Sequence, residues 1–203
     1  MKITSLLLVI ICIVVFVIQI MFPVVTNIFL LDSSSVLSEP WTLITSIFIH
    51  GGFEHLVFNM FALGLFGFIL ENIIGSKKFL AVFFIGGLFS SIVSIFFYSA
   101  SLGASGAIFS VIGVLAVIRY RMIVWFFGVP MPMAIAAAFW AIVDIVGVFY
   151  PSNTANMAHL AGLFFGLVLS YFLREYMDKG KKRKKALSDE DIDKWEDSYM
   201  RNK

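Results

Sequence analysis

Residues 103–121 read GASGAIFSVIGVLAVIRYR. A serine between two small residues opens the stretch, no charge interrupts Ser105 to Ile118, and Arg119 and Arg121 close it. A membrane-crossing helix needs about 20 mostly apolar residues. At about 1.5 Å per residue, Ser105 lies only about 21 Å from Arg119. This run is apolar enough for a bilayer and too short to cross one. Its first residues must start inside the membrane, and the chain from Ser99 to Ala104 must dip inward to meet them. Irregular backbone at that depth is tolerated only where it is buried in protein or lines a water-filled cavity. The stretch therefore predicts a short buried helix, reached by a re-entrant loop, facing a wet pocket within a larger bundle.

The rest of the chain supports a bilayer as solvent. Of 203 residues, 60% are hydrophobic and 14% charged, and the mean hydropathy is +0.96. Soluble chains carry about 25% charged residues. Disorder is excluded, because it needs low hydrophobicity and high net charge, and the net charge here is +2. The single cysteine, Cys12, excludes a disulfide framework and any Cys-rich metal site. Apolar runs place spans at Ser5 to Leu31, Phe53 to Ile74, Phe79 to Ser99, Ser105 to Ile118, Met122 to Tyr150 and Ala155 to Met177. In the fifth run Pro130 and Pro132 mark the true start or a kink. The first opens like a signal sequence but is too long for one and lacks an Ala-x-Ala site, so it is read as a helix.

Charge placement fixes the orientation. Lys2, Lys77, Lys78, Arg119, Arg121 and the ten basic residues after Leu173 all fall on one side of a six-span chain. Lys and Arg favour the cytoplasmic side, so both termini are expected there, in an all-α, six-transmembrane-helix bundle. Residues 1–177 form the membrane domain and residues 178–203 a charged cytoplasmic tail. The basic run Lys181 to Lys185 is read as a stop-transfer anchor, with anionic lipid as the alternative contact. Ser188 to Asp191 resembles a capping box for a short helix.

Polar groups at membrane depth are functional candidates by default. His55 and Asn59 lie one turn apart on one helix face, about 24 and 18 Å above Glu71. His159 lies about 22 Å above Arg174. With Ser105 these groups share one layer near the outer side, and His50 lies beyond them. Small residues recur at Gly106, Ser110 and Gly113, and at Ala158, Gly162, Gly166 and Ser170. Such stripes let backbones approach closely, which would bring the Ser105 hydroxyl to the His159 imidazole. Either stripe alone marks only packing, and Gly-x-Ser-Gly alone is a weak signal. A metal site of this kind would want a carboxylate or a third well-placed histidine, so no metal or cofactor is expected.

Three blocks together resemble the rhomboid family of intramembrane serine proteases. HGGFEHLVFN, residues 50–59, is similar to the family's His-x4-His-x3-Asn motif. GASG, residues 103–106, is similar to its Gly-x-Ser-Gly nucleophile motif, and AHLAGLFFG, residues 158–166, to its last histidine motif. The resemblance spans about residues 41–174. It departs at Trp41-Thr42, where the family often has Trp-Arg, and at Phe109, where it often has a tyrosine packed on the catalytic imidazole.

The resemblance implies peptide-bond hydrolysis by a dyad, with Ser105 as nucleophile and His159 as general base and acid. His55, Asn59 and the Ser105 N–H would form the oxyanion hole. Gly103 would let backbone approach the substrate, Phe109 would stack on His159, and His50 would hold the loop or cavity water. Asp144 is the one candidate for an acidic third member, but it sits on the fifth helix and the family works as a dyad, so it is read as structural or cavity-lining, and Trp140 as part of a lateral substrate gate. The expected partners are single-span transmembrane substrates in the lipid bilayer, cut near the outer face, with no nucleic acid. The expected location is a prokaryotic plasma membrane. An inactive rhomboid-like binder of membrane helices is the alternative. A small transporter should show paired repeats and broken helices at the midplane, and neither is seen.

Overall fold

The computed structural model describes residues 3–126, 128–150 and 154–173. Six helices carry the fold: α1 Thr4–Met21, α2 Phe53–Ile74, α3 Ser76–Ser94, α4 Ser105–Ile118, α5 Met133–Phe149 and α6 Asn156–Leu173. By length and composition, α1, α2, α3 and α6 are able to cross a membrane, while α4 and α5 are shorter. The charged tail, with its basic run and capping-box sequence, lies outside the described residues.

The short helix is the centre of the molecule. Every residue of α4 from Gly106 to Ala116 is buried. Around it the outer faces are apolar and exposed, as at Leu6, Ile10, Val14 and Val17 of α1 and Ile135, Phe139, Ile142 and Val146 of α5. A soluble monomer rarely exposes so large a contiguous apolar surface. Hydrocarbon suits it, because these side chains gain nothing from water and a helix pairs its interior backbone groups within itself.

Close contact with α4 is made by small residues. On α3, Gly86 faces the Ser110 side chain and Gly87 faces Ala107 and Ile47. On α6, a Cβ at Gly162 would land on the carbonyl of Gly106, and one at Gly166 on the carbonyl of Ser110. The pairs 106–162 and 110–166 advance together, so α4 and α6 run parallel in backbone contact. The Ser90 hydroxyl of α3 donates to the Ala158 carbonyl of α6 in the space that a Gly106 side chain would fill.

Two devices tie the ends. α2 contains a π-helical turn, Leu63–Gly67, and a Cβ at Gly67 would lie 3.2 Å from Ser5 Cβ and 3.3 Å from Phe79. One turn further on, the buried Glu71 carboxylate accepts from Thr4 N (3.0 Å), Ser5 N (2.9 Å), Ser5 Oγ (2.9 Å) and Ser76 Oγ (2.6 Å). It satisfies first-turn N–H groups of α1, which have no partner within their own helix. At the other end, β1 Leu31–Asp32 pairs antiparallel with β2 Ala100–Ser101, and Gly103 N donates to Ser46 O at 2.9 Å. The segment entering α4 is thus pinned to the chain that follows α1.

Three boundaries differ from the sequence expectation. The first apolar run breaks at Pro23, and a six-residue helix, Val24–Phe29, follows. The third helix begins at Ser76 and ends at Ser94. The first part of the fifth run is a hairpin, β3 Ile123–Phe126 paired with β4 Val129–Pro132 through Gly128 at φ +81°. Hydropathy reports the solvent a segment prefers, and an apolar hairpin scores like an apolar helix. Pro132 precedes α5 in an extended conformation and supplies its boundary.

Candidate active site

Ser105 is the first residue of α4. Gly103, two residues before it, has φ +113°, a region that L side chains rarely adopt. A Cβ there would also lie 2.6 Å from His55 Cε1 and 2.8 Å from Nε2. The loop that delivers the serine therefore rests on the edge of the His55 ring. The backbone contact of α4 with α6 then sets the next distance: Ser105 Oγ lies 2.8 Å from His159 Nε2. Phe109, one turn along α4, stacks on the His159 ring with centroids 4.4 Å apart and planes 7° from parallel. The hydroxyl also borders a cavity of about 20 Å³, lined in part by Ser46, Ser90, Ser94 and Ser101.

The histidines of the loop and of α2 carry distinct roles. Gly51 N donates to His55 Nδ1 at 3.3 Å. In the neutral ring that leaves the proton on Nε2, the atom beside Gly103. Asn59 Nδ2 donates to the His55 carbonyl at 2.8 Å, and Asn59 Oδ1 is buried with no partner among the described residues. One amide N–H of Asn59 thus remains for another acceptor.

His50 is 2% exposed. Gln19 of α1 covers it, accepting from His50 N at 3.0 Å and donating to His50 O at 3.2 Å. Burial, and then the neighbouring His55, push the His50 imidazole down to about 4, against the Phe48 carbonyl facing Nδ1. It is neutral at pH 7 and serves the loop. Its ring centroid lies 5.3 Å from that of His55, so it helps to seat that ring.

Asp144, weighed from the sequence as an acidic third member and set aside, has its Oδ1 on α5 3.0 Å from His159 Nδ1. The carboxylate is buried and its Oδ2 has no partner among the described residues. The available signal was a lone acidic residue in an apolar helix, but one sequence does not show which helices face each other. Trp140 of α5 is held edge-on by Phe66 of α2 (5.9 Å), Phe109 of α4 (6.3 Å) and Phe126 of β3 (4.7 Å). Among the described residues no group of three His, Cys, Asp or Glu side chains is placed to hold a metal ion.

A serine hydroxyl within hydrogen-bond reach of an imidazole, as Ser105 Oγ is of His159 Nε2, is an arrangement that can generate a nucleophile. His55 Nε2 lies beside Gly103, two residues before Ser105. This arrangement suits acyl transfer.

Comparisons with known proteins point to one family. The family model described as the Rhomboid domain matches residues 37–176. The putative rhomboid protease YdcA of Bacillus subtilis (strain 168) is 35% identical over 139 residues, covering 66% of this chain and 67% of the relative. Rhomboid protease GluP of the same strain is 36% identical over 132 residues, 63% of this chain and 25% of the relative. RHOMBOID-like protein 6, mitochondrial, of Arabidopsis thaliana is 32% identical over 138 residues, 67% of this chain and 44% of the relative. The chain thus spans under half the length of that plant protein.

Proposed function

This chain belongs to the rhomboid family, and from that premise we propose that it is an intramembrane serine endopeptidase. The observation that carries the reading is the 2.8 Å contact between Ser105 Oγ and His159 Nε2, on a chain whose relatives include proteins named as proteases. Ser105 Oγ attacks the scissile carbonyl carbon and forms a C–O bond as the carbonyl π pair moves onto oxygen, while its proton passes to His159 Nε2. The oxyanion is met by the Ser105 N–H and His55 Nε2–H, with Asn59 as a third donor. The C–N bond then breaks, and Nε2 returns the proton to the leaving amine. Water next attacks the acyl-serine with His159 as base, releasing the carboxyl product and restoring Ser105.

The multi-pass membrane character of the family, with the exposed apolar faces described above, supports a transmembrane substrate that approaches sideways. In this reading all six helices span or enter the bilayer, both termini are cytoplasmic, and α4 is reached by a re-entrant segment. The pocket then opens outward, and single-span proteins are cut near the outer face. The contact of Trp140 with Phe66 closes the side between α2 and α5, where a substrate helix would enter. The membrane domain ends near residue 177, and the tail meets the cytoplasmic surface of a prokaryotic plasma membrane. The alternative, an inactive binder of membrane helices, has no need of Ser105 aligned on a histidine.

Purified protein should be labelled by a fluorophosphonate at Ser105 and should cleave a model transmembrane substrate. Ser105→Ala and His159→Ala should each abolish cleavage while leaving the protein folded in detergent. The double variant should be little worse than either single one, because the two side chains act as a unit. Clear residual turnover in Ser105→Ala would remove the assignment.

A further inference from the structure

We infer that the β3–β4 hairpin is a phospholipid-binding surface within the leaflet on the basic side of the bundle. Arg119 and Arg121 hold an anionic headgroup there, and the exposed face at Ile123 and Trp125 takes the acyl chain. The inference rests on the membrane bundle proposed above and not on the protease chemistry.

The first observation is the direction of the hairpin. Its base is fixed to the start of α5, because Met133 N donates to the Met122 carbonyl at 2.8 Å and Ala134 N to the Tyr120 carbonyl at 3.2 Å. At the far end of β3, Phe126 packs edge-on against Phe139 (5.0 Å) and Trp140 (4.7 Å). Those two residues stand six and seven positions along α5 from Met133, or about 10 Å. The hairpin therefore folds back beside α5, and its tip lies farther into the bilayer than its base. A connection made for water would run the other way.

The second observation is the order of the chemistry along that depth. Arg119, Tyr120 and Arg121 are exposed at the base, with the Arg121 guanidinium 5.2 Å from the centre of the Tyr120 ring. The sequence from Gly103 to Val143 contains no Asp or Glu, and among the described residues neither arginine has an ion-pair partner. Beyond the base, Val124 and Phe126 are buried toward the bundle, while Ile123 is 58% and Trp125 75% exposed. Cations first and an apolar face deeper is the order of phosphate and chain in a phospholipid. A soluble anion would leave the apolar face uncovered, and an apolar protein surface would leave the arginines unpaired.

The third observation concerns the strand edges. A two-stranded ribbon has open edges, and an unpaired N–H is costly in hydrocarbon. In a hairpin closed by two residues, 126 and 129 form the first hydrogen-bonded pair, and bonded and non-bonded pairs alternate from there. The alternation makes 124 and 131 the next bonded pair and turns positions 130 and 132 outward. Both are proline, so β4 offers no donor on its outer edge.

The test places the full-length protein in symmetric phosphatidylcholine bilayers and reads Trp125 as the fluorescence difference between the parent and Trp125→Phe. Chain-brominated phosphatidylglycerol or chain-brominated phosphatidylcholine is included at the same low mole fraction. Both should quench Trp125, and phosphatidylglycerol more strongly, because each arginine near the surface should enrich an anionic lipid about fivefold. Arg119→Gln/Arg121→Gln should remove that excess and leave the quenching by phosphatidylcholine unchanged. Equal quenching by the two lipids in the parent overturns the headgroup site, whether or not the double variant folds. No quenching of Trp125 by either lipid overturns the lipid contact and assigns this face to a protein. An excess that survives in the folded double variant places the charge elsewhere and also overturns the proposal. The bilayer is symmetric and no turnover is needed, so neither an inverted orientation nor an unreactive Ser105 alters the readout. If the fluorescence left in Trp125→Phe is not quenched either, the protein is not embedded, and the membrane bundle fails together with the proposal.

Discussion

At the scale of single residues, the site is built from groups whose hydrogen-bonding capacity is only partly used. His55 gives its Nδ1 to Gly51 and keeps Nε2–H beside Gly103. Asn59 gives one N–H to the His55 carbonyl and keeps another. Spare donors in a buried layer are unfavourable unless something arrives to accept from them, and a developing oxyanion is such an acceptor. If Asn59 donates mainly as that charge builds, its loss should lower turnover more than binding. Asn59→Ala should lose on the order of 10²–10³-fold in turnover, and Ser105 should still react with a fluorophosphonate, only more slowly. Equal labelling and equal turnover in the variant and the parent would make Asn59 a packing residue. The His50, His55 and Asn59 cluster was legible in the sequence because its members lie within ten residues on one loop and helix. Asp144 was legible only as a candidate partner of His159 and was set aside, because that contact depends on how α5 lies against α6.

At the scale of elements, the distance that matters is set by glycine. α4 and α6 touch backbone to backbone because Gly162 and Gly166 leave room for the carbonyls of Gly106 and Ser110. Gly162 lies three residues beyond His159, so a side chain there pushes the imidazole away from Ser105. Backbone is the obstacle, and it cannot rotate aside as a side chain can. Gly162→Ala should therefore cut turnover well beyond its effect on the thermal midpoint, because a displacement of about 1 Å at the reacting atoms can cost on the order of 10²-fold. Parallel measurement of turnover and melting checks this, and a variant that melts earlier yet turns over normally refutes it. The small-residue stripes announced this contact in the sequence. The Ile123–Phe126 hairpin went unannounced, although its alternation of exposed and buried residues is a strand pattern. Within a long apolar run, that alternation has no polar residues to mark it.

At the scale of the whole molecule, the asymmetry of charge and the asymmetry of the site are one argument. Glu71 gathers Thr4, Ser5 and Ser76 at one end of the bundle, next to Lys77 and Lys78 in the sequence. Ser105, His55 and Gly103 meet toward the other end, where the Leu31–Asp32 and Ala100–Ser101 ladder lies. The basic residues follow the Glu71 end, so in the proposed topology, set by the positive-inside rule, the Ser105 layer is expected to face outward. Reporter fusions after Lys78, Arg121 and Lys203 should then read cytoplasmic, and fusions near Glu39, Ala100 and Asn153 should read external. The fusion at Arg121 is the most informative, because α4 is too short to span alone. A cytoplasmic reading there requires the segment before Ser105 to enter the bilayer from outside. Lys78 and Arg121 flank the same end of the antiparallel pair α3 and α4, so external readings at both would invert the bundle. The pocket would then open to the cytoplasm, and cleavage near the outer face would have to be abandoned.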